Sequence, residues 1–272
     1  MSNKIAVLLP VYKKDKPAYL SIAIDSILGQ TYSNICLFIG VDGYINKELE
    51  MCLLKYEALE KVCITRFLEN RGLAVVLNDL ITLCRREGFD YIARMDADDI
   101  CLSNRFEKQI IYMNNHKNID ICGGHIEEMD ENKKSIGVIR YPLSHDEMKC
   151  FFGKRNPLAH MSVIFRKSYF HKAGLYPVDT DKDEDTIFWL NGFLSGCKFA
   201  NIDEVLVRVR VNKDFYLRRN GLSKSLSDLK NRCLVIRKLN LSYVNYIFAC
   251  ARFVIFIIPI PHVTQFAYKF LR

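Results

Sequence analysis

The sequence predicts an α/β protein whose core is a parallel sheet with helices on both faces. Short β-branched runs alternate with helix-length segments through the first hundred residues, the pattern expected of such a sheet. The 272 residues suffice for one large α/β domain, or a medium domain carrying an appendage. Half of them are apolar and 26% are charged, with only 13 Gly and 7 Pro, so collagen-like, low-complexity and wholly disordered chains are excluded. No internal repeat is present, which removes solenoids.

Each element follows from its own segment. Residues 5–9 are Ile-Ala-Val-Leu-Leu and read as the first strand, with a helix over 16–30. Strands over 35–41, 62–67 and 91–95 then alternate with helices over 47–59 and 73–87. Ligands of such sheets bind beyond the carboxyl ends of the strands. The residues there are Pro10-Val11-Tyr12, Asp42-Gly43, Glu69-Asn70-Arg71-Gly72 and Asp96-Ala97-Asp98-Asp99. A helix over 103–116 follows, with Ser103 as its N-cap, and then a strand over 119–127. Alternation weakens over 130–180, which holds Asn156-Pro157-Leu158-Ala159-His160 and a strand over 162–166. A helix over 184–195 and a strand over 205–211 close a domain of residues 1–211.

Residues 212–272 read as a basic, aromatic-rich helical extension. From 205 to the end the chain carries 13 Lys and Arg against 2 Asp and Glu, a net +11, and the preceding part carries 26 against 29, a net −3. Nucleic acid, an anionic membrane surface and a phosphorylated acceptor are the partners such charge attracts. The apolar run over 247–260 has 14 residues and contains Arg252 and Pro259, short of the ~20 that span a bilayer. With Tyr243, Tyr246, Phe248, Phe253, Phe256, Phe266, Tyr268 and Phe270 among Lys and Arg, it suits an interfacial element. Packing on the domain or on a second copy is the alternative. Ten cysteines stand singly with no metal-ligand spacing, and the apolar stretch after Lys4 is too short for a signal peptide. A reduced cytoplasmic chain is expected.

The chemistry concentrates in Asp96-Ala97-Asp98-Asp99, three carboxylates in four residues after an apolar strand. Crowded carboxylates repel one another, and a divalent cation with hard oxygen ligands, Mg²⁺ or Mn²⁺, relieves this. An acidic turn that caps a helix is the plainer reading. Glu184-Asp185 has the same duality, since acids also complement a helix N-terminus, and Asp179, Asp181 and Asp183 precede it.

Taken together, Pro10-Val11-Tyr12, Gln30-Thr31-Tyr32, Asp42-Gly43, Asn70-Arg71-Gly72 with Asn78, the Asp96–Asp99 motif with Arg105 and Gln109, and Glu184-Asp185 with Trp189 resemble the family 2 glycosyltransferases of the GT-A fold. The resemblance spans residues 4–211. It implies a Rossmann-like nucleotide-sugar domain on a mixed sheet, a divalent metal, and inverting single displacement at the anomeric carbon. By it, Asp42 reads the uracil base, with Pro10 and Tyr12 flanking; Arg71 is either a contact for the donor phosphates or a solvated loop residue. Asp96 and Asp98 match the D-x-D that contacts ribose and the diphosphate-bound metal, and Asp98 or Asp99 is the metal ligand. Asp185 falls on the catalytic base. His160 lies where the family places an acceptor-side His, and Trp189 is either an acceptor platform or a core anchor. The family commonly has two acids before the Gly of the second strand, and here the first is Val41.

The implied partners are a nucleotide-sugar donor, a UDP-sugar, and a glycan acceptor linked to polyprenyl diphosphate at an anionic inner membrane face, without nucleic acid. Other classes fit less well. No G-x-G-x-x-G opens the first helix as in a dinucleotide dehydrogenase, and no acid pair follows the first strand as in an aspartyl phosphatase. Lys13-Lys14 without glycines is a poor nucleotidyltransferase loop, and a processive synthase would carry Gln-x-x-Arg-Trp, whereas the single Trp is Trp189. A membrane-surface scaffold that kept the fold and lost the activity is the non-enzymatic alternative.

Overall fold

Odd and even residues of the first strand, β1 (Ile5–Val11), enter two different cores, because successive strand side chains point to opposite faces. Ile5, Val7, Leu9 and Val11 join one core, and Ala6 and Leu8 the other. The computed structural model describes residues 3–180, 183–211 and 221–257. Asp181 and the tail aromatics Phe266, Tyr268 and Phe270 lie outside these.

Helix α1 (Pro17–Leu28) is followed by β2 (Ile35–Val41), α2 (Lys47–Glu57), β3 (Val62–Arg66), α3 (Leu73–Arg86) and β4 (Tyr91–Arg94). These four strands are mutually parallel, with Ile5 opposite both Ile35 and Tyr91. Then come β5 (Ile100–Cys101), α4 (Arg105–Asn115), β6 (Ile121–Met129), β7 (Ser135–Ile139) and α5 (His145–Phe152). A 3₁₀ turn (His160–Ser162) leads to β8 (Ile164–Arg166), α6 (Lys167–Lys172), α7 (Glu184–Leu194), β9 (Phe199–Arg210), α8 (Leu222–Lys238) and α9 (Val244–Ile257).

The sheet runs β3-β2-β1-β4-β8-β6-β9-β5, with β7 on β6. It is mixed: β8 lies antiparallel to β4 and β6, β5 antiparallel to β9, and β6 parallel to β9. The mixed sheet is the one the family resemblance implies, and the parallel order read from the alternation of segments holds for the first four strands. An apolar run buried on both faces carries no mark of its direction, so residue pattern could not show that β8 runs backwards. One core receives α1, α2 and α4 through Leu20, Ile24, Leu49, Phe106 and Ile110. The other receives α3, α5, α6, α7 and α8 through Leu77, Leu80, Phe152, Tyr169, Trp189 and Val235.

Two local expectations change. Ser103 does not cap α4. Its carbonyl accepts the Thr31 N–H (2.8 Å), Asn104 occupies the cap position without a side-chain bond, and Gln30 Oε1 accepts the Phe106 N–H (3.3 Å). One orphan donor of the helix start is here satisfied by Gln30, just beyond α1, across the fold. The strand expected over 205–211 is the latter part of the much longer β9, while β5, β7, α5 and α6 were not anticipated.

Candidate active site

Asp42 follows β2 and is buried, and its carboxylate organises the loop that opens α3. Oδ1 accepts the Arg71 N–H (2.7 Å), and Oδ2 accepts the Gly72 N–H and Asn70 Nδ2 (both 3.0 Å). Gly43 must be glycine: its φ is +78°, and a Cβ there would sit 2.6 Å from the Asn70 nitrogen. The tight Asp42-Gly43 turn thus lets the two strand-end loops meet. Pro10 and Tyr12 end β1 beside β2, Pro10 opposite Gly40, and both are partly exposed. Arg71 is exposed, pairs with Asp79 (2.5 Å) and lies over Phe67, 4.2 Å from the ring centre.

The acids after β4 converge. Asp96, Asp98 and Asp99 each offer an oxygen, all within 4.8 Å of one another. Asp96 pairs with buried Arg94. Asp99 is 2% exposed; its Oδ1 accepts the Arg210 N–H (2.9 Å), and its Oδ2 is buried without a hydrogen-bond partner among the described residues. Burial, then the charges of Asp98 and Asp96, push the Asp99 carboxyl well above the usual range. An orphaned buried carboxylate oxygen beside two further carboxylates fits a divalent ion with oxygen ligands. Asp98 and Asp99 are the residues that would hold it, with Asp96 adjoining.

The acidic loop is braced from beneath. Arg105 is fully buried, donates Nη2 to the carbonyls of Arg94 (3.0 Å) and Val163 (3.2 Å), and gives Nε to Gln109 Oε1 (3.0 Å). Gln109 Nε2 continues to the carbonyls of Cys122 and Ser162. Arg105 and Gln109, one helical turn apart on α4, therefore act as scaffold for the end of β4 and contact no open surface.

Asp185 sits in the first turn of α7. Oδ1 accepts the Thr186 N–H (2.7 Å) and Oδ2 accepts Asn156 Nδ2 (3.0 Å). Burial, then the Asp183 charge, raise its pKa, opposed by the Thr186 N–H, Lys224 and Arg232. Glu184 is raised likewise, by burial and then Asp185. Tyr176 lies within the fields of Arg94, Asp96, Glu184 and Asp185, so the two acidic clusters share one region of the molecule. Asn78 pins the Tyr176 backbone with reciprocal 2.8 Å bonds.

Trp189 belongs to the packing, and His160 lies half-buried against it. Trp189 is 0% exposed and packs with Phe165 and Phe188, which excludes an open stacking platform. His160 Nε2 meets the Tyr176 hydroxyl at 2.8 Å, with the ring edge-on to Trp189. Burial, then Arg94, hold the imidazole well below its usual pKa, hence neutral. Sequence reasoning gave no role to Arg94, Asn156, Tyr176, Arg210 or Arg232. Asn156 and Arg232 are 76 residues apart, and no spacing rule links such a pair.

The sequence matches the profile described as Glycosyl transferase family 2 over residues 6–174. The chain belongs to that family. It is a glycosyltransferase, and its sheet is that of the GT-A fold. The amylovoran biosynthesis glycosyltransferase AmsE of Erwinia amylovora is 33% identical over 83% of this transferase and 83% of its own length. An Escherichia coli UDP-Gal:alpha-D-GlcNAc-diphosphoundecaprenol beta-1,3-galactosyltransferase is 30% identical over 90% of this chain and 87% of its own. The mannosyltransferase PcManGT of Pyrobaculum calidifontis, solved with GDP-Man and Mn²⁺, superposes with a TM-score of 0.64 at 12% identity, over 99% of this transferase and 80% of that chain.

Proposed function

We propose that this transferase moves one sugar from a UDP-sugar to a glycan acceptor linked to polyprenyl diphosphate, with inversion and with a divalent metal, in assembly of a bacterial surface polysaccharide. The observation that carries it is the convergence of Asp96, Asp98 and Asp99 around the orphaned Asp99 oxygen. The E. coli galactosyltransferase, whose name contains both a UDP-sugar and a diphosphoundecaprenol-linked acceptor, supports the substrate classes.

In this reading Asp42 and the Asn70–Gly72 loop receive the nucleoside, with Pro10 and Tyr12 on its flank and Arg71 towards the phosphates. Asp96 meets the ribose. Asp98 and Asp99 would hold Mg²⁺ or Mn²⁺, which would supply positive charge for the leaving diphosphate. Asp185 accepts the proton of the attacking acceptor hydroxyl, a weak nucleophile at neutral pH. One displacement by that hydroxyl, with no covalent enzyme intermediate, inverts the anomeric centre. Residues 1–211 supply the donor site, and residues 212–272 the membrane-facing extension.

That extension bears a stripe suited to a lipid surface. Val244, Ile247, Phe248, Ala251 and Val254 recur at helical spacing on α9 and are exposed, while Asn245, Ala249 and Phe256 are buried on the other side. Lys230, Arg237 and Lys238 on α8 are exposed as well. No helix among the described residues is long and apolar enough to cross a membrane. An apolar stripe with nearby cations matches an anionic bilayer, where a lipid-linked acceptor resides.

The test incubates the protein with UDP-Gal, UDP-Glc, UDP-GalNAc or UDP-GlcNAc, GlcNAc-diphosphoundecaprenol and Mn²⁺, with products read by mass spectrometry. A lipid product heavier by one sugar, lost with EDTA and of inverted anomeric configuration by NMR, is expected. Undiminished transfer in EDTA removes the metal, and transfer only from other nucleotide sugars removes the uridine assignment.

A further inference from the structure

We propose that Arg232 of α8 is a positioning residue for Asp185, acting through the side-chain amide of Asn156, and that the C-terminal helices are thereby part of the active centre. The inference rests on the reading of Asp185 as the base.

The geometry is a chain of three side chains. Asn156 Nδ2 donates to Asp185 Oδ2 (3.0 Å), while Asn156 Oδ1 accepts both Arg232 Nη2 (2.7 Å) and Thr186 Oγ1 (3.0 Å). The two ends of a carboxamide are nearly the same size, and a half-turn exchanges donor for acceptor. A turned Asn156 would set its oxygen against the Asp185 carboxylate and its NH₂ against the guanidinium. Thr186 does not forbid this, because a hydroxyl can donate or accept. Arg232 does, because a guanidinium has five donors and no acceptor. Arg232 therefore decides which end of Asn156 faces the base. The Thr186 N–H and the Asn156 NH₂ fill two of the roughly four lone-pair sites of the carboxylate, and the Thr186 hydroxyl, which donates more closely to Asn156, stands 3.5 Å from Oδ1, so a site is left for an acceptor hydroxyl.

Arg232 is itself fixed. It is 4% exposed, gives Nη1 to the Phe152 carbonyl (2.9 Å) and lies 3.5 Å from Asp228, which Arg252 of α9 meets at 3.2 Å. A Cβ at Gly153 would stand 2.6 Å from Asn245 Cγ, so α9 closes directly on the segment that leads to Asn156. Lys224 of α8 also pairs with Asp183, which holds a left-handed conformation (φ +69°) at the start of α7. Among the described residues the charged and titratable groups around Asp185 are Asp183 at the cap of α7, Glu184 on α7, Lys224, Asp228 and Arg232 on α8, Arg252 on α9, Tyr176 from the preceding loop, and Arg94 on β4. Arg232 adds a positive charge as well as the amide orientation, and both favour the ionised base.

The test labels aspartate carboxyl carbons with ¹³C in the full-length protein and follows the Asp185 resonance, assigned by its loss in Asp185→Asn, through a pH titration. Arg232→Gln is expected to move the Asp185 midpoint to higher pH, and Arg232→Lys to move it less. Unchanged UDP–Mn²⁺ affinity shows that the donor site still stands. An unmoved midpoint in Arg232→Gln overturns the inference. Where that variant does not fold, Arg232→Lys decides by turnover, read as UDP release from UDP-Gal with GlcNAc-diphosphoundecaprenol. A misplaced base lowers kcat by about 10²-fold or less, and the loss disappears when Arg232→Lys is placed on Asp185→Asn. An equal loss in both backgrounds also overturns it. Near wild-type turnover of Asp185→Asn instead sinks the assignment of the base and leaves the titration result intact.

Discussion

Arg210, the last residue of β9, donates its backbone N–H to Asp99 Oδ1 at 2.9 Å across 111 residues of sequence. Its guanidinium reaches the Asp98 carbonyl (3.2 Å) and lies 3.9 Å from the Tyr19 ring centre on α1. The end of β9 thus holds the acidic loop in place and leaves the second Asp99 oxygen without a partner among the described residues.

Asp99→Asn keeps an oxygen for the Arg210 N–H while removing the anionic ligand, so it separates metal binding from folding. Calorimetric titration with UDP and Mn²⁺ is expected to show affinity lower by at least about tenfold, or 1.4 kcal/mol, in Asp99→Asn or Asp98→Asn. Wild-type affinity in the double variant would remove the motif from metal binding.

Asp185→Asn preserves the side-chain shape and removes the base. Turnover is expected to fall about 10²–10⁴-fold with UDP affinity little changed. Because burial and then Asp183 raise the Asp185 pKa, the base loses its proton at a higher pH than an ordinary aspartate. In the wild type kcat/KM should fall as pH drops through that raised value, and a flat acid side would contradict the assignment.

The buried Arg105 brace makes a stability prediction. Arg105→Met removes the guanidinium from the Arg94 carbonyl and the Gln109 amide oxygen, and leaves the Val163 carbonyl with the Arg94 N–H alone. Urea unfolding should show a loss of about 2–4 kcal/mol. A change below about 0.5 kcal/mol, the size of a neutral surface substitution, would mean that water or neighbouring groups replace the guanidinium.

The exposed stripe on α9 is tested by sedimentation with vesicles containing phosphatidylglycerol. Binding should weaken with salt, with Arg237→Gln and Lys238→Gln, and with Ile247→Ser and Phe248→Ser. Each basic residue near such a surface contributes about 1 kcal/mol. Binding indifferent to both lipid charge and the stripe would assign α9 to protein packing.

Acid should loosen the two C-terminal helices. Burial pushes the Asp228 carboxyl up, but Arg232 and Arg252 prevail and hold it below its usual range. A depressed folded-state pKa gives stability that is present above the unfolded value and lost as pH falls through the folded one. Hydrogen exchange of α8 and α9 should therefore accelerate at acid pH in the wild type, and Asp228→Asn should abolish that dependence.

The sequence by itself determined the parallel half of the sheet and every strand-end motif, because those depend on local period and on residues adjacent in the chain. β2 spans Ile35–Val41 as its pattern predicts, and the Asp96–Asp99 cluster needs no distant partner to be noticed. Only the tertiary structure decided the direction of β8, the donor of Arg210 to Asp99 and the link from Arg232 through Asn156 to Asp185. Trp189 shows the same division: its place on α7 follows from helical period, but its burial follows from Phe165 of β8 and His160 of the 3₁₀ turn closing on it. A hydrogen bond between residues 76 or 111 positions apart requires the sheet and helices to be folded before donor and acceptor meet, and no local propensity records such a meeting.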